Sequence, residues 1–264
     1  AMAKHLNVVG LMNVQFAVKK EDDVMNVYVL EVNPRASRTV PFVAKATGVP
    51  VANIAAKVMT GKTLAELGIT EQPLPTVFSV KESVFPFRKF VGVDIVLGPE
   101  MRSTGEVMGI AKRFPIAFAK SQLAAGATLP LSGRVFISMS ARHKERSAVI
   151  AKQLHDLGYE LLATSGTARY IEDAGVPVQV VKKIIEGHPN LIDQMKNEGV
   201  DMILNTPSGK GARTDEGTIR ATAVQHGIPC ITTIQAAEAV VEALQALQDE
   251  DMEVEALQDR FATA

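Results

Sequence analysis

The fold is decided by RVFISMSARHKERSAVIAKQLHDLGYELLATSGT, residues 134–167. Its opening, 134–140, carries Val135, Phe136 and Ile137 in a row and predicts a strand. Residues 144–157 repeat apolar side chains at helical spacing and stop at Gly158, which predicts an amphipathic helix. Residues 159–163 read as a second strand, and Thr164-Ser165-Gly166-Thr167 as a tight turn into a helix over 168–174. The alternation continues downstream. Strands are predicted at 178–181, 202–204 and 230–232, with helices at 191–197, 214–226 and 236–247. Short apolar strands separated by helices at regular intervals are the pattern of a parallel sheet covered on both faces.

The chain before residue 128 has a different texture. Residues 13–20 (NVQFAVKK) alternate, and 27–32 (VYVLEV) are β-branched and aromatic, so a β-hairpin is predicted with Glu21-Asp22-Asp23 as its connector. Helices are predicted over 39–47, ending at Gly48, and over 51–60, ending at Gly61, with a short third segment over 63–67. Residues 76–85 read as a strand, 98–109 (GPEMRSTGEVMG) as a glycine-rich loop, and 114–125 as a helix. This predicts two domains, 1–128 and 129–264. The start, Ala1-Met2-Ala3 followed almost at once by an apolar strand, predicts a piece of something larger.

Composition excludes several classes. The 264 residues are 47% hydrophobic and 22% charged, with 28 Lys+Arg against 29 Asp+Glu, which gives no global pull toward nucleic acid or an anionic membrane. The single cysteine, Cys230, excludes an internal disulfide and a cysteine-cluster metal site. The five histidines (His5, His143, His155, His188 and His226) lack zinc-site spacing. Apolar runs are short and no basic leader precedes a hydrophobic stretch, so neither a membrane span nor a signal peptide is predicted.

Three groups of residues carry candidate chemistry. Glu31 and Asn33 stand two apart on one strand and share a face, while Leu30 and Val32 are expected to face a core. Gln15, on the partner strand, completes a set of hard oxygen donors suited to Mg²⁺. Arg35 and Arg38 follow and could clamp an oxyanion. The same residues also read as an ordinary solvated face. In the second half, Thr164 to Thr167 precede a helix N-terminus, and Asn205 opens NTPSGKGAR, each after a strand. Ligands of open parallel sheets bind at such ends, and Lys144 and Lys183 would add charge. A capped turn and a solvated loop are the plain alternatives.

The strings QFA at 15–17 and VLEVNPRASR at 29–38 resemble the metal-binding end of ATP-grasp ligases. With TVPF at 39–42, KATG at 45–48 and GPEMRSTGEVMG at 98–109, the first half resembles the second synthetase half of the carbamoyl-phosphate synthase large-subunit family. The second half resembles the methylglyoxal-synthase-like fold, found as the allosteric domain of the same family. The fold class expected is therefore α/β: the end of an ATP-grasp domain (hairpin plus helices), then a methylglyoxal-synthase-like, Rossmann-like open parallel sheet.

The resemblance implies that Gln15, Glu31 and Asn33 hold Mg²⁺ or Mn²⁺ at the phosphates of ATP, with Arg35 and Arg38 as catalytic arginines steadying carbamate or the phosphoryl group. It implies effector contacts for UMP or IMP at Lys144, Thr164, Thr167, Lys183 and Asn205, and ornithine contacts at Glu82 and Thr232. A glutaminase small subunit as partner, a cytoplasmic location and room for oligomerisation also follow from it. Pro207 and Glu216 depart from the hydroxyl residues of the family pattern. Methylglyoxal synthase itself is disfavoured because the loop after the fourth strand lacks the Gly-Gly-Asp expected there. A purine-pathway cyclohydrolase, which shares the fold, is disfavoured by the ATP-grasp segment. A bare nucleotide-binding module remains as a further alternative.

Overall fold

The computed structural model describes residues 1–71, 74–89, 95, 97, 100–206 and 215–260. It divides into two compact units, Ala1–Thr76 with Val254–Ala264, and Val77–Glu253.

The first unit holds α1 (Met2–His5), β1 (Asn13–Glu21), β2 (Val24–Asn33), α2 (Val40–Thr47) and α3 (Val51–Met59). β1 and β2 pair antiparallel as a two-stranded ribbon. Their connector is tighter than predicted: only Asp22 (φ 46°) and Asp23 (φ 63°) turn the chain. Two residues at positive φ make the turn whose twist matches a hairpin, and aspartate tolerates that conformation. The strands accordingly run longer than the sequence pattern suggested.

Leu30 does not face a core. It is 60% exposed, and Phe16, Val27 and Tyr28 are exposed too, so the ribbon shows apolar side chains on both faces. Sequence alternation assigns a face but not what covers it, and that expectation is corrected. α2 and α3 pack on one another and bury Ala46 and Ala55, with Gly48 at φ 73° closing α2. The expected helix over 63–67 is a single turn. Thr63 and Glu66 cap each other's backbone N–H groups, and Gly68 at φ 71° ends the turn before it propagates.

The second unit opens with β3 (Phe78–Val84), β4 (Gly105–Ala111) and α4 (Phe114–Ala124). It continues through β5 (Arg134–Ser138), α5 (Lys144–Asp156), β6 (Glu160–Ala163), α6 (Ser165–Asp173) and β7 (Gln179–Val180). α7 (Leu191–Lys196), β8 (Met202–Asn205), α8 (Asp215–His226), β9 (Cys230–Ile231) and α9 (Ile234–Asp249) complete it. A short α10 (Leu257–Arg260) belongs with the first unit.

The predicted parallel sheet is present, in the order β7-β6-β5-β8-β9. Strict alternation divides its core. Val135, Ile137, Leu161 and Leu204 pack with α5, α6 and α9, while Phe136, Leu162 and Ile203 pack with α7 and α8.

Residues 105–111 are not loop but β4, paired antiparallel with β3 and tied to it by Lys81–Glu106 at 3.2 Å. Glycines hid this strand. Gly109 is there because α4 crosses it closely: a Cβ at 109 would lie 2.0 Å from the Ala117 carbonyl oxygen. Phe118 and Ala119 of α4 and the following Leu129 share the core of Val135 and Ile137, with Val80 of β3 packed against it, so β3 and α4 pack with the parallel sheet. The compact division at 76 therefore differs from the textural change near 128, which reflects chain pattern rather than packing.

Candidate functional site

From β5 the chain steps to β6 and β7 on one side, then crosses to β8 and β9 on the other. The direction of winding reverses between β5 and β8, and their carboxyl ends frame the crevice where such sheets bind ligands. Ser138 lies opposite Asn205 there. Beyond it, the Ser140 backbone N–H donates to Thr206 Oγ1 at 2.9 Å, and Ser140 Oγ lies 3.2 Å from His143 Nδ1. The loops leaving β5 and β8 are thus laced together by buried hydroxyls. On the β6 side, Thr167 is buried and its Oγ1 accepts from the Met139 backbone N–H at 3.4 Å.

Lys144 begins α5 and reaches toward α6. Its Nζ donates to the Gly166 carbonyl at 2.7 Å and to Thr167 Oγ1 at 3.2 Å, and sits 5.7 Å from the centre of the Tyr170 ring. Burial, and then the charge of Lys183, hold the Lys144 ammonium below the usual lysine range. Lys183 leads the 3₁₀ turn Ile184–Glu186 after β7. Neither ammonium has an ion-pair partner among the described residues.

The turn expected at 164–167 is itself the start of α6. Thr164 is the N-cap residue and its side chain makes no capping bond; the Thr167 N–H donates to the Thr164 carbonyl at 2.8 Å, which leaves the N–H groups of Ser165 and Gly166 for other acceptors. The Lys144 ammonium lies on the first turn of α6, and the repulsion it feels from Lys183 is of the kind that an anion would relieve. Asn205 is buried at the end of β8. Pro207 lies outside the described residues. Glu216 is in the first turn of α8, where a carboxylate is favoured by the helix dipole.

On the ribbon, the register sets Gln15 opposite Glu31 beside an irregularity at Gln15/Phe16. Asn33 Nδ2 donates to Glu31 Oε1 at 2.9 Å. Glu31 Oε2 and the amide oxygens of Gln15 and Asn33 make a hard donor set that suits a small divalent ion also ligated by phosphate. No cluster of three His, Cys, Asp or Glu occurs among the described residues, so the two amides are needed for any such set. Arg35 is exposed, with Nη1 3.3 Å from the Ala36 carbonyl, and Arg38 is exposed just before α2.

Glu82 and Thr232 both belong to the second unit. Both line a cavity of about 580 Å³ walled by Phe85, Phe87 and Phe118. Gln122 Nε2 donates to Glu82 Oε2 at 2.8 Å. The Glu82 carboxylate at the edge of these aromatic walls suits a cationic group on an aliphatic chain.

Sequence reasoning did not single out Ser140 or Arg220. Ser140 was signalled only by its place after a strand. Arg220, in mid-helix, gave no signal and is wholly buried.

Residues 147–232 match the MGS-like domain family, and residues 1–67 match the ATP binding domain of the carbamoyl-phosphate synthase L chain. The chain thus joins the end of an ATP-grasp domain to a methylglyoxal-synthase-like sheet. It corresponds to the C-terminal part of carbamoyl phosphate synthase large chains. It is 68% identical to that of Rhodopirellula baltica over 99% of its own length, and 53% identical to that of Synechocystis over 98%. With the Pseudomonas aeruginosa protein it shares 54% over 92%. The chain spans about a quarter of the length of these curated relatives.

Proposed function

We propose that this chain is the metal-holding edge and effector-binding end of an enzyme that makes carbamoyl phosphate from carbamate and ATP. The observation that carries the effector half is the convergence of Lys144 and Thr167, with the charge of Lys183, beside the N-terminus of α6. A mononucleotide, UMP or IMP, fits this cleft. Its phosphate would take the ammonium groups of Lys144 and Lys183, the hydroxyls of Thr164 and Thr167, and the free N–H groups of α6, with Asn205 as a neutral polar contact.

On the ribbon, Gln15, Glu31 and Asn33 would hold Mg²⁺ or Mn²⁺, which neutralises phosphate charge during phosphoryl transfer. Arg35 and Arg38 would orient the carbamate and the transferred group and stabilise charge as it develops. The functional division follows the sequence, 1–128 synthetic and 129–264 regulatory, with β3, β4 and α4 as the part of the first that packs into the second. Glu82 and Thr232 would hold the side-chain amine of ornithine. A glutaminase small subunit would supply ammonia, and the assembly would work in the cytoplasm. The described residues include no helix long and apolar enough to cross a membrane.

Calorimetry with UMP, IMP and inorganic phosphate tests the effector reading. Binding by the wild-type chain that Thr167→Ala with Lys183→Ala nearly abolishes supports it. Failure of all three ligands at millimolar concentration overturns it.

A further inference from the structure

Arg220 is wholly buried on α8, among the most expensive groups to take out of water. Its Nη1 donates to Asn205 Oδ1 at 3.2 Å. Asn205 ends β8, has no solvent exposure, and lies opposite Ser138 at the crevice between β5 and β8. A side-chain amide has an accepting end and a donating end, whereas a guanidinium only donates. Arg220 therefore fixes which end of Asn205 it meets. The remaining end, Nδ2, is buried and has no hydrogen-bond partner among the described residues. Buried donors without partners are rare and costly, and this one sits where the sheet topology calls for a ligand.

We infer that Arg220 is a positioning residue that holds the Asn205 amide so that a donor, and not an acceptor, is offered to the effector. The inference rests on the effector reading above and narrows it. The group that meets Asn205 must accept a hydrogen bond, as a phosphoryl oxygen or a ring carbonyl does, and an amino group there is rejected. A uracil nucleotide then outcompetes its cytosine counterpart if the base meets Asn205, while the two bind alike if the phosphate does.

The test is calorimetry on the 264-residue chain with inorganic phosphate, UMP and CMP. Asn205→Asp keeps the oxygen that faces Arg220 and turns the donor into a charged acceptor. It should weaken UMP at least tenfold with the thermal midpoint held. Loss shared by inorganic phosphate assigns the donor to the phosphoryl group, and loss confined to UMP, with CMP already weak, assigns it to the carbonyl; either supports the inference.

Arg220→Gln should also weaken UMP, and its effect should vanish in an Asn205→Ala background. UMP binding unchanged in Asn205→Asp, or an Arg220→Gln effect undiminished when Asn205 is absent, overturns the inference while the effector reading stands. If Arg220→Gln does not fold, the Asn205→Asp result decides alone. A wild-type chain that binds none of the ligands overturns both readings before any variant is made.

Discussion

Phe136, Leu162 and Ile203 in the parallel sheet are fully buried, whereas Phe16, Val27 and Leu30 in the ribbon are half or more exposed. Both regions are rich in strand-forming residues, yet only one builds a layered core. The difference extends to their sites. The crevice at β5 and β8 draws its donors from α5, α6 and the loops after three strands, all within one compact unit. The oxygens of Gln15, Glu31 and Asn33 stand on a two-stranded edge and can furnish only part of a coordination sphere. A crevice at the end of a sheet is framed by that sheet's own strands, whereas a two-stranded ribbon offers its donors from a single pair of strands.

Four measurements would break or sharpen this contrast. Phe136→Ala should cost about 3–5 kcal/mol in urea unfolding, while Phe16→Ala should change stability by no more than about 0.5 kcal/mol. Similar costs at the two positions would erase the distinction. In the complete enzyme, Glu31→Ala should lower carbamoyl-phosphate formation on the order of a hundredfold, since a charged ligand at the phosphoryl group is lost. Its exposure predicts an unchanged thermal midpoint in the isolated chain. Wild-type turnover would remove the metal assignment.

In the crevice, Thr167→Ala should weaken UMP or phosphate about tenfold by calorimetry, the worth of one charge-assisted bond. The smallest effect concerns pH. The Lys144 ammonium is held below the usual lysine range, so it loses its proton earlier than an ordinary lysine as pH rises. A bound anion favours the charged form. Binding should therefore weaken through the alkaline range below the ordinary lysine value, with proton uptake on binding in that window. Calorimetry in buffers of different ionisation enthalpy reads the uptake, and Lys144→Met should abolish it.

Much of this architecture was legible in the sequence. The five parallel strands and their helices follow from apolar runs of strand length between helical repeats, and the glycines at 48, 126 and 158 mark helix ends. What escaped notice has physical causes. β4 was hidden because its glycine serves packing by another element, which local pattern does not register. α6 began earlier than expected because Ser165 and Gly166 are weak helix formers that tertiary context carries into the first turn. Alternation alone points Leu30 to a core, but alternation says nothing of what covers a face, and Leu30 is 60% exposed.

For the candidate site, Glu31 and Asn33 group by strand spacing, and the register sets Gln15 opposite Glu31 while Asn33 pairs with Asn13. Lys144 and Lys183 are 39 positions apart, and only the sheet order brings their charges together. Arg220 was invisible, since nothing in a helix sequence announces that an arginine points inward to hold an amide.

The close crossing at Gly109 bears on mutational tolerance. Every coding change at that position adds at least one carbon, and the first carbon already collides with backbone atoms of Ala117 and Ser121, which cannot swing aside as side chains do. Size, charge and polarity of the newcomer then matter little. A saturation library across 105–111 should show position 109 depleted of all nineteen alternatives to nearly the same depth, while Glu106 and Met108 beside it sort their replacements by chemistry. Such a flat column in the profile marks a place where the chain is read as geometry and not as side chain.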